Sequence, residues 1–230
     1  MAKKKKISRK ELLKAPDEFL TVTSKIFKYV EEHKTAVVSV AVVFFLVLTG
    51  IAGFRYVSQK SDSKAFAMLQ NAVNRYRKVL SESSPEKALD RVAGDFRQII
   101  ENYPGQNGGK LAGVFYANIQ YRAGKFTEAA ELYADVLERF DKASPIRDLI
   151  ISGLGHCSLC RNDTDDAFHF FNMTASASDN IFMKDEALFL LGCLHARNGE
   201  RDQSQAAFKR IVSDFHESFY VKPVKNHISG

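Results

Sequence analysis

The 230-residue chain is 45% hydrophobic and 26% charged, with a formal net charge of +6. Residues 1–34 carry ten Lys/Arg against five Asp/Glu, whereas residues 55–230 carry 23 against 22, so the basicity belongs to the N-terminal tail. Nucleic-acid binding needs basicity on a folded face, and the near-neutral larger part excludes that class.

The tail, residues 1–34, opens on Lys3, Lys4, Lys5 and Lys6. After Pro16, the residues Phe19, Ile26, Phe27 and Val30 fall at spacings that place them on one face of a candidate amphipathic helix, with Lys25, Lys28, Glu31 and Glu32 around it. Such a helix can rest on an anionic membrane surface. A solvated tail with a partly formed helix fits the same residues.

Residues 35–54, TAVVSVAVVFFLVLTGIAGF, hold no Asp, Glu, Lys, Arg, Asn or Gln. At 1.5 Å per residue the run makes a helix of about 30 Å, the thickness of a bilayer's hydrocarbon core. His33 and Lys34 bound it on one side, Arg55 and Tyr56 on the other. A cleaved signal has a shorter apolar core after a short basic start, and an Ala-x-Ala site after it. Here 34 residues come first and no such site follows, so the run reads as one transmembrane helix. The 20 residues on each side tie at three Lys/Arg, and the whole tail breaks the tie toward a cytoplasmic N-terminus. Gly50 and Gly53 are too few for a helix-dimer motif.

After a linker at 55–61, residues 62–216 carry a repeat. FRQIIENY, YADVLERF, the degenerate FNMTASAS and FKRIVSDF begin at Phe96, Tyr133, Phe171 and Phe208, which are 37, 38 and 37 residues apart. Such a period marks stacked supersecondary units. Apolar residues at i, i+3, i+4 and i+7 make each motif a helix. Further helical stretches lie upstream at about 109–123, 144–161 and 181–197, with turn residues Gly124, Asn162-Asp163 and Asn198-Gly199 between. A pair at about 62–80 and 86–103, broken at Ser84-Pro85, completes four hairpins. Lys222, Pro223 and Lys225 argue for a mostly irregular tail at 217–230.

Tyr121-x2-Gly124-x-Phe126-x2-Ala129-x3-Tyr133 resembles the core of a tetratricopeptide repeat. The small residue that lets the two helices of that repeat approach is matched by Ala129, Ala167 and Ser204, and the first-helix glycine by Ala117, Gly155 and Gly192. The likeness covers residues 109–216 well and 62–104 weakly, where Val92 holds the small position. The resemblance implies an all-α fold: one N-terminal transmembrane helix, then a right-handed array of about four TPR-like hairpins. A basic tail, one span and such an array also resemble the family that groups the ancillary subunit of the SecYEG translocon with the cell-division coordinator CpoB. That likeness implies a bacterial inner-membrane protein with a periplasmic C-terminal domain, binding translocon or envelope proteins or secreted clients.

No enzyme signature is present. The glycine-rich GQNGGK at 105–110 has Pro104 and Leu111 where a phosphate loop needs Gly and Ser/Thr, so it reads as an inter-repeat loop. Cys157-x-x-Cys160 lacks the following His of a c-type haem site and lies late in a helix, not at a helix start beside a strand. Repeat register places His156, Cys160 and Cys193 along one face, which keeps a thiol redox or metal protein open as an alternative; buried cysteine as a small apolar residue is the ordinary case. No cofactor or small-molecule substrate is expected. Stacked hairpins present their first helices on a concave side. By register that side is lined by Val114, Asn118, Tyr121, Arg122, Ser152, His156, Leu159, Phe189, Cys193 and Arg197, and a protein partner is expected there. Phe168, His169, Phe170 and Phe171 hold more rings than one helix face buries, so at least one should pack on a neighbouring repeat or a partner.

Overall fold

The computed structural model describes residues 18–176 and 183–228, and every regular element among them is an α-helix. Lys3 to Lys6 and the start of the expected 181–197 helix lie outside the described residues. The chain divides into two compact units, Met1–Val57 and Ser58–Gly230.

The first unit holds α1 (Glu18–Glu32) and the beginning of α2 (Lys34–Glu82). The side chains of Phe19 and Ile26 lie outside the described residues, so the expected apolar face of α1 is seen only at Phe27 and Val30, which are exposed. α2 is long and apolar enough to cross a membrane, and no part of its apolar window is buried. Phe44, Phe45 and Leu46, three successive residues pointing in three directions, are all exposed, so the helix is apolar all round with no protein cover. The two hydroxyls inside the run bond within the helix: Ser39 Oγ donates to the Thr35 carbonyl at 2.8 Å and Thr49 Oγ1 to the Phe45 carbonyl at 2.9 Å. Neither therefore needs water. Residues 55–61, expected as a linker, are helical. No Gly or Pro stands between Arg55 and Glu82 to stop the helix.

The second unit is a stack of hairpins. The later part of α2 pairs with α3 (Pro85–Asn102), α4 (Asn107–Arg122) with α5 (Phe126–Leu137), α6 (Ile146–Cys160) with α7 (Thr164–Ser176), and α8 (Lys184–Arg197) with α9 (Arg201–Asp214). The turns Gly124, Asn162 and Gly199 adopt φ of 74°, 61° and 80°, the left-handed region that the sequence reserved for Gly and Asn. α3 starts as its residues direct: Ser84 is the N-cap, Pro85 takes the first helical position, and Ser84 Oγ accepts from the Lys87 N–H. The same hydroxyl holds the Glu86 carboxyl below its usual range.

Burial explains the period. Phe96, Tyr133, Phe171 and Phe208 are all buried, and so are the small residues four positions earlier, Val92, Ala129, Ala167 and Ser204. Each aromatic plugs one hairpin, and the small residue leaves it room. The cores overlap along the stack: one joins α2, α3 and α4, a second α4, α5 and α6, and a third α7 to α10. The Phe168 ring lies 4.7 Å from that of His195 on α8, so one ring of that cluster does reach a neighbouring repeat.

Two expectations are corrected. Asn107, Gly108 and Gly109 form the first turn of α4, not a loop. A Cβ on Gly108 would lie 2.7 Å from the Phe66 nitrogen, so the missing side chain allows α4 to approach α2, and Asp62 Oδ1 accepts the Gly108 N–H at 3.0 Å. The C-terminal tail is also not mostly irregular: Val221–Ile228 form α10. Pro223 falls in its first turn, where a missing N–H costs no helix bond, and Val224 is fully buried in the third core.

Candidate functional site

The first helices of successive hairpins share one face, and the repeat register sorts its residues into rows. Val114, Ser152 and Phe189 occupy equivalent positions; Val114 is wholly covered, which corrects its assignment as open lining, while Ser152 keeps an edge on the central cavity. Val114 is buried in the second core and Ser152 is 2% exposed. Phe189 is half-buried, its ring stacked on Tyr220 at 4.7 Å. Beside this row neighbouring repeats approach closely: a Cβ on Gly153 of α6 would meet the Tyr133 ring of α5 at 2.8 Å.

The next row, one turn along, is open. Asn118 and His156 are half-buried and Cys193 is exposed. Tyr121 and Leu159 are half-buried, and Arg122 and Arg197 are exposed. Two of these are engaged elsewhere: Leu159 packs on the third core, and Arg197 Nη2 donates to Thr164 Oγ1 at 2.9 Å.

The structure gathers Asn118, Tyr121, Arg122 and His156 into a groove. A cavity of about 110 Å³ is lined by Asn118, Tyr121, Ser152 and His156, with Leu149 and Met183 at its edges. Asn118 also borders a second cavity, of about 310 Å³, between α2 and α4, with walls of Val73, Tyr76, Leu80, Phe115 and Ile119. The α2 contribution was not foreseen, because the repeat signal is weak before residue 104. Of the exposed apolar side chains, Phe115 stands in its wall.

The central cavity has fixed polar walls. His156 Nε2 lies 3.5 Å from Glu186 Oε1, and its ring meets Tyr121 and Phe171 edge-on. Tyr121 Oη and Cys160 Sγ are 3.6 Å apart. Burial, then this contact, pushes the Tyr121 hydroxyl pKa up to about 12, so it stays a neutral hydrogen-bonding group. At the C-terminal end, Ser218 Oγ donates to Asp185 Oδ2 at 2.6 Å, and burial raises the Tyr220 pKa. Those contacts seat the segment that covers Phe189.

The cysteines do not gather. Cys157 is buried inside its hairpin, and burial pushes its thiol up to about 11; Cys160 and Cys193 are exposed, and desolvation also raises Cys193. Among the described residues no group of three His, Cys, Asp or Glu side chains is placed to hold a metal ion. A raised pKa keeps the thiol protonated to higher pH. At pH 8 only about 0.1% of Cys157 is therefore thiolate, and its labelling should rise only as the pH approaches 11. Maleimide counting on the folded chain at pH 8 should find Cys160 fastest, Cys193 slower and Cys157 silent until unfolding. Fast Cys157 labelling would contradict its placement.

A family profile described as a tetratricopeptide repeat-like domain matches residues 28–225. No curated protein matches the chain in a sequence comparison. Among solved structures the chain is similar to the nearly identical, kinesin-light-chain-type TPR-like repeats of a Podosopora anserina protein. A point-substituted form aligns at TM-score 0.55 and 10% identity over 73% of this chain and 84% of that one. The other form aligns at TM-score 0.52 and 10% identity over 69% and 78%. At such identity the likeness shows the fold alone.

Proposed function

The chain belongs to the tetratricopeptide repeat-like domain family, and from that premise we propose that it is a non-enzymatic docking module held at a membrane by α2. The observation that carries the reading is the groove on the first-helix face: two cavities sharing Asn118, walled by apolar and hydrogen-bonding side chains, with Arg77 and Arg122 at the larger one. Arrays of this kind bind extended protein segments on that face. Tethering raises the local concentration of the groove beside membrane partners, so individual contacts can be weak.

The basic tail favours a cytoplasmic N-terminus and a repeat domain on the far side of a bacterial inner membrane. There it would hold envelope or translocon proteins or emerging clients, as the architecture of the SecYEG-ancillary and CpoB family implies. No observation favours the thiol redox or metal alternative.

A photoreactive amino acid at Asn118 in the full chain should give discrete protein adducts in cells, and one at exposed Glu131 on α5 should not. Equal adducts from both positions, or none from 118, would contradict the groove. A reporter active only outside the cytoplasm, fused at Gly230, should be active. An inactive fusion of normal abundance would reverse the orientation.

A further inference from the structure

The groove's two ends differ in chemistry. The cavity between α2 and α4 has five apolar or aromatic walls, and the charged residues at its edge are Arg77 and Arg122. No acidic residue lines it. Both guanidiniums are exposed, and neither is in an ion pair among the described residues. Two other arginines of the unit show the alternative: Arg75 reaches Asp95 at 3.0 Å, and Arg139 pairs with Asp135. The pair at the cavity mouth is thus unspent positive charge beside about 310 Å³ of apolar space, near the lower end of ligand pockets at about 300 Å³.

That volume suits one or two side chains, not a whole cofactor. An exposed aromatic, Phe115, stands at the wall as an anchor surface. Guanidiniums bind carboxylates bidentately through their planar donors, and a neighbouring apolar wall strengthens such pairs by excluding water. Asn118 leads from this cavity into the central one, so a chain seated here has a continuous path onward.

We propose that the α2–α4 cavity is the specificity end of the groove, taking an acidic, apolar peptide segment of a partner protein: an aromatic or aliphatic side chain enters between Tyr76 and Phe115 while flanking carboxylates pair with Arg77 and Arg122. The assignment rests on the docking function proposed above and names the class of partner that it selects.

The test uses the full chain in detergent micelles and three fluorescein-labelled twelve-residue peptides that alternate Phe or Leu with Glu, with Gln or with Lys. Anisotropy should show the Glu peptide binding at least about tenfold more tightly than the other two at physiological salt. Arg77→Glu with Arg122→Glu should weaken the Glu peptide about tenfold or more and improve the Lys peptide. Both positions are exposed, so circular dichroism should be unchanged. Phe115→Ala should weaken all three peptides together. Equal binding of the three, no Glu-peptide binding, or no change on charge reversal would overturn the proposal. So would saturation by dodecanoate with the same arginine dependence while the peptides fail, because the site would then take a free fatty acid. Retained Asn118 adducts in cells alongside any of those results would sink this assignment and leave the docking function standing.

Discussion

Phe171→Ala should destabilise the repeat array by about 3–5 kcal/mol, the cost of deleting a fully buried ring from a core that can only partly collapse. The ring lies in the third core, meets His156 edge-on and sits against Gly155 of the facing helix, where a Cβ would approach Phe171 Cε1 to 2.7 Å. That contact makes the two positions interdependent. Gly155→Ala alone forces a buried ring aside and should cost about 1–3 kcal/mol. With Phe171→Ala already present the clash is gone, and the same substitution should instead stabilise by up to about 1 kcal/mol, the helix-propensity advantage of Ala over Gly. Urea unfolding followed at 222 nm would read the cycle. Additive effects would mean that Gly155 and Phe171 do not pack as described.

The same pairing shows why so much of the fold was legible. A repeat must solve one packing problem several times, so the aromatic plug and the small residue before it return at a fixed interval even where FNMTASAS has lost the rest of the motif. The turns were legible because left-handed φ at 124, 162 and 199 narrows the residue choice to Gly and Asn. The site was legible only in part. Register assigned Val114 to the open face, where it is buried in the second core: a helix rotates 100° per residue, and one turn separates a core position from one above the groove. Asn118 and His156 fell on the open side of that divide. The α2 wall was hidden because the first hairpin departs from the repeat pattern. α10 was hidden because two lysines and a proline suggested irregular chain, whereas the single apolar residue among them, Val224, anchors the segment.

The span admits the same energetic treatment. Residues 35–54 contain twelve Val, Leu, Ile or Phe, each contributing about −0.3 to −0.6 kcal/mol to membrane insertion near the helix centre. One Arg near the centre costs about 2.5–3.5 kcal/mol, so two arginines offset nearly the whole apolar contribution. Val43 and Val47 lie one turn apart in the middle of the run, and both are exposed, so their replacement disturbs no protein packing. Neither belongs to Ser58–Gly230, which should keep its helicity.

A docking groove held at a membrane by one helix is therefore tested most directly by comparing the wild-type chain with the Val43→Arg, Val47→Arg chain. Membranes would be washed with alkaline carbonate, and adducts counted from a photoreactive residue at 118. The wild type should remain with the membranes. The double variant should leave them as a folded protein and lose its adducts at least about tenfold, because the tether no longer concentrates the groove beside its partner. A wild-type chain that washes off, or a released variant with undiminished adducts, would contradict the account.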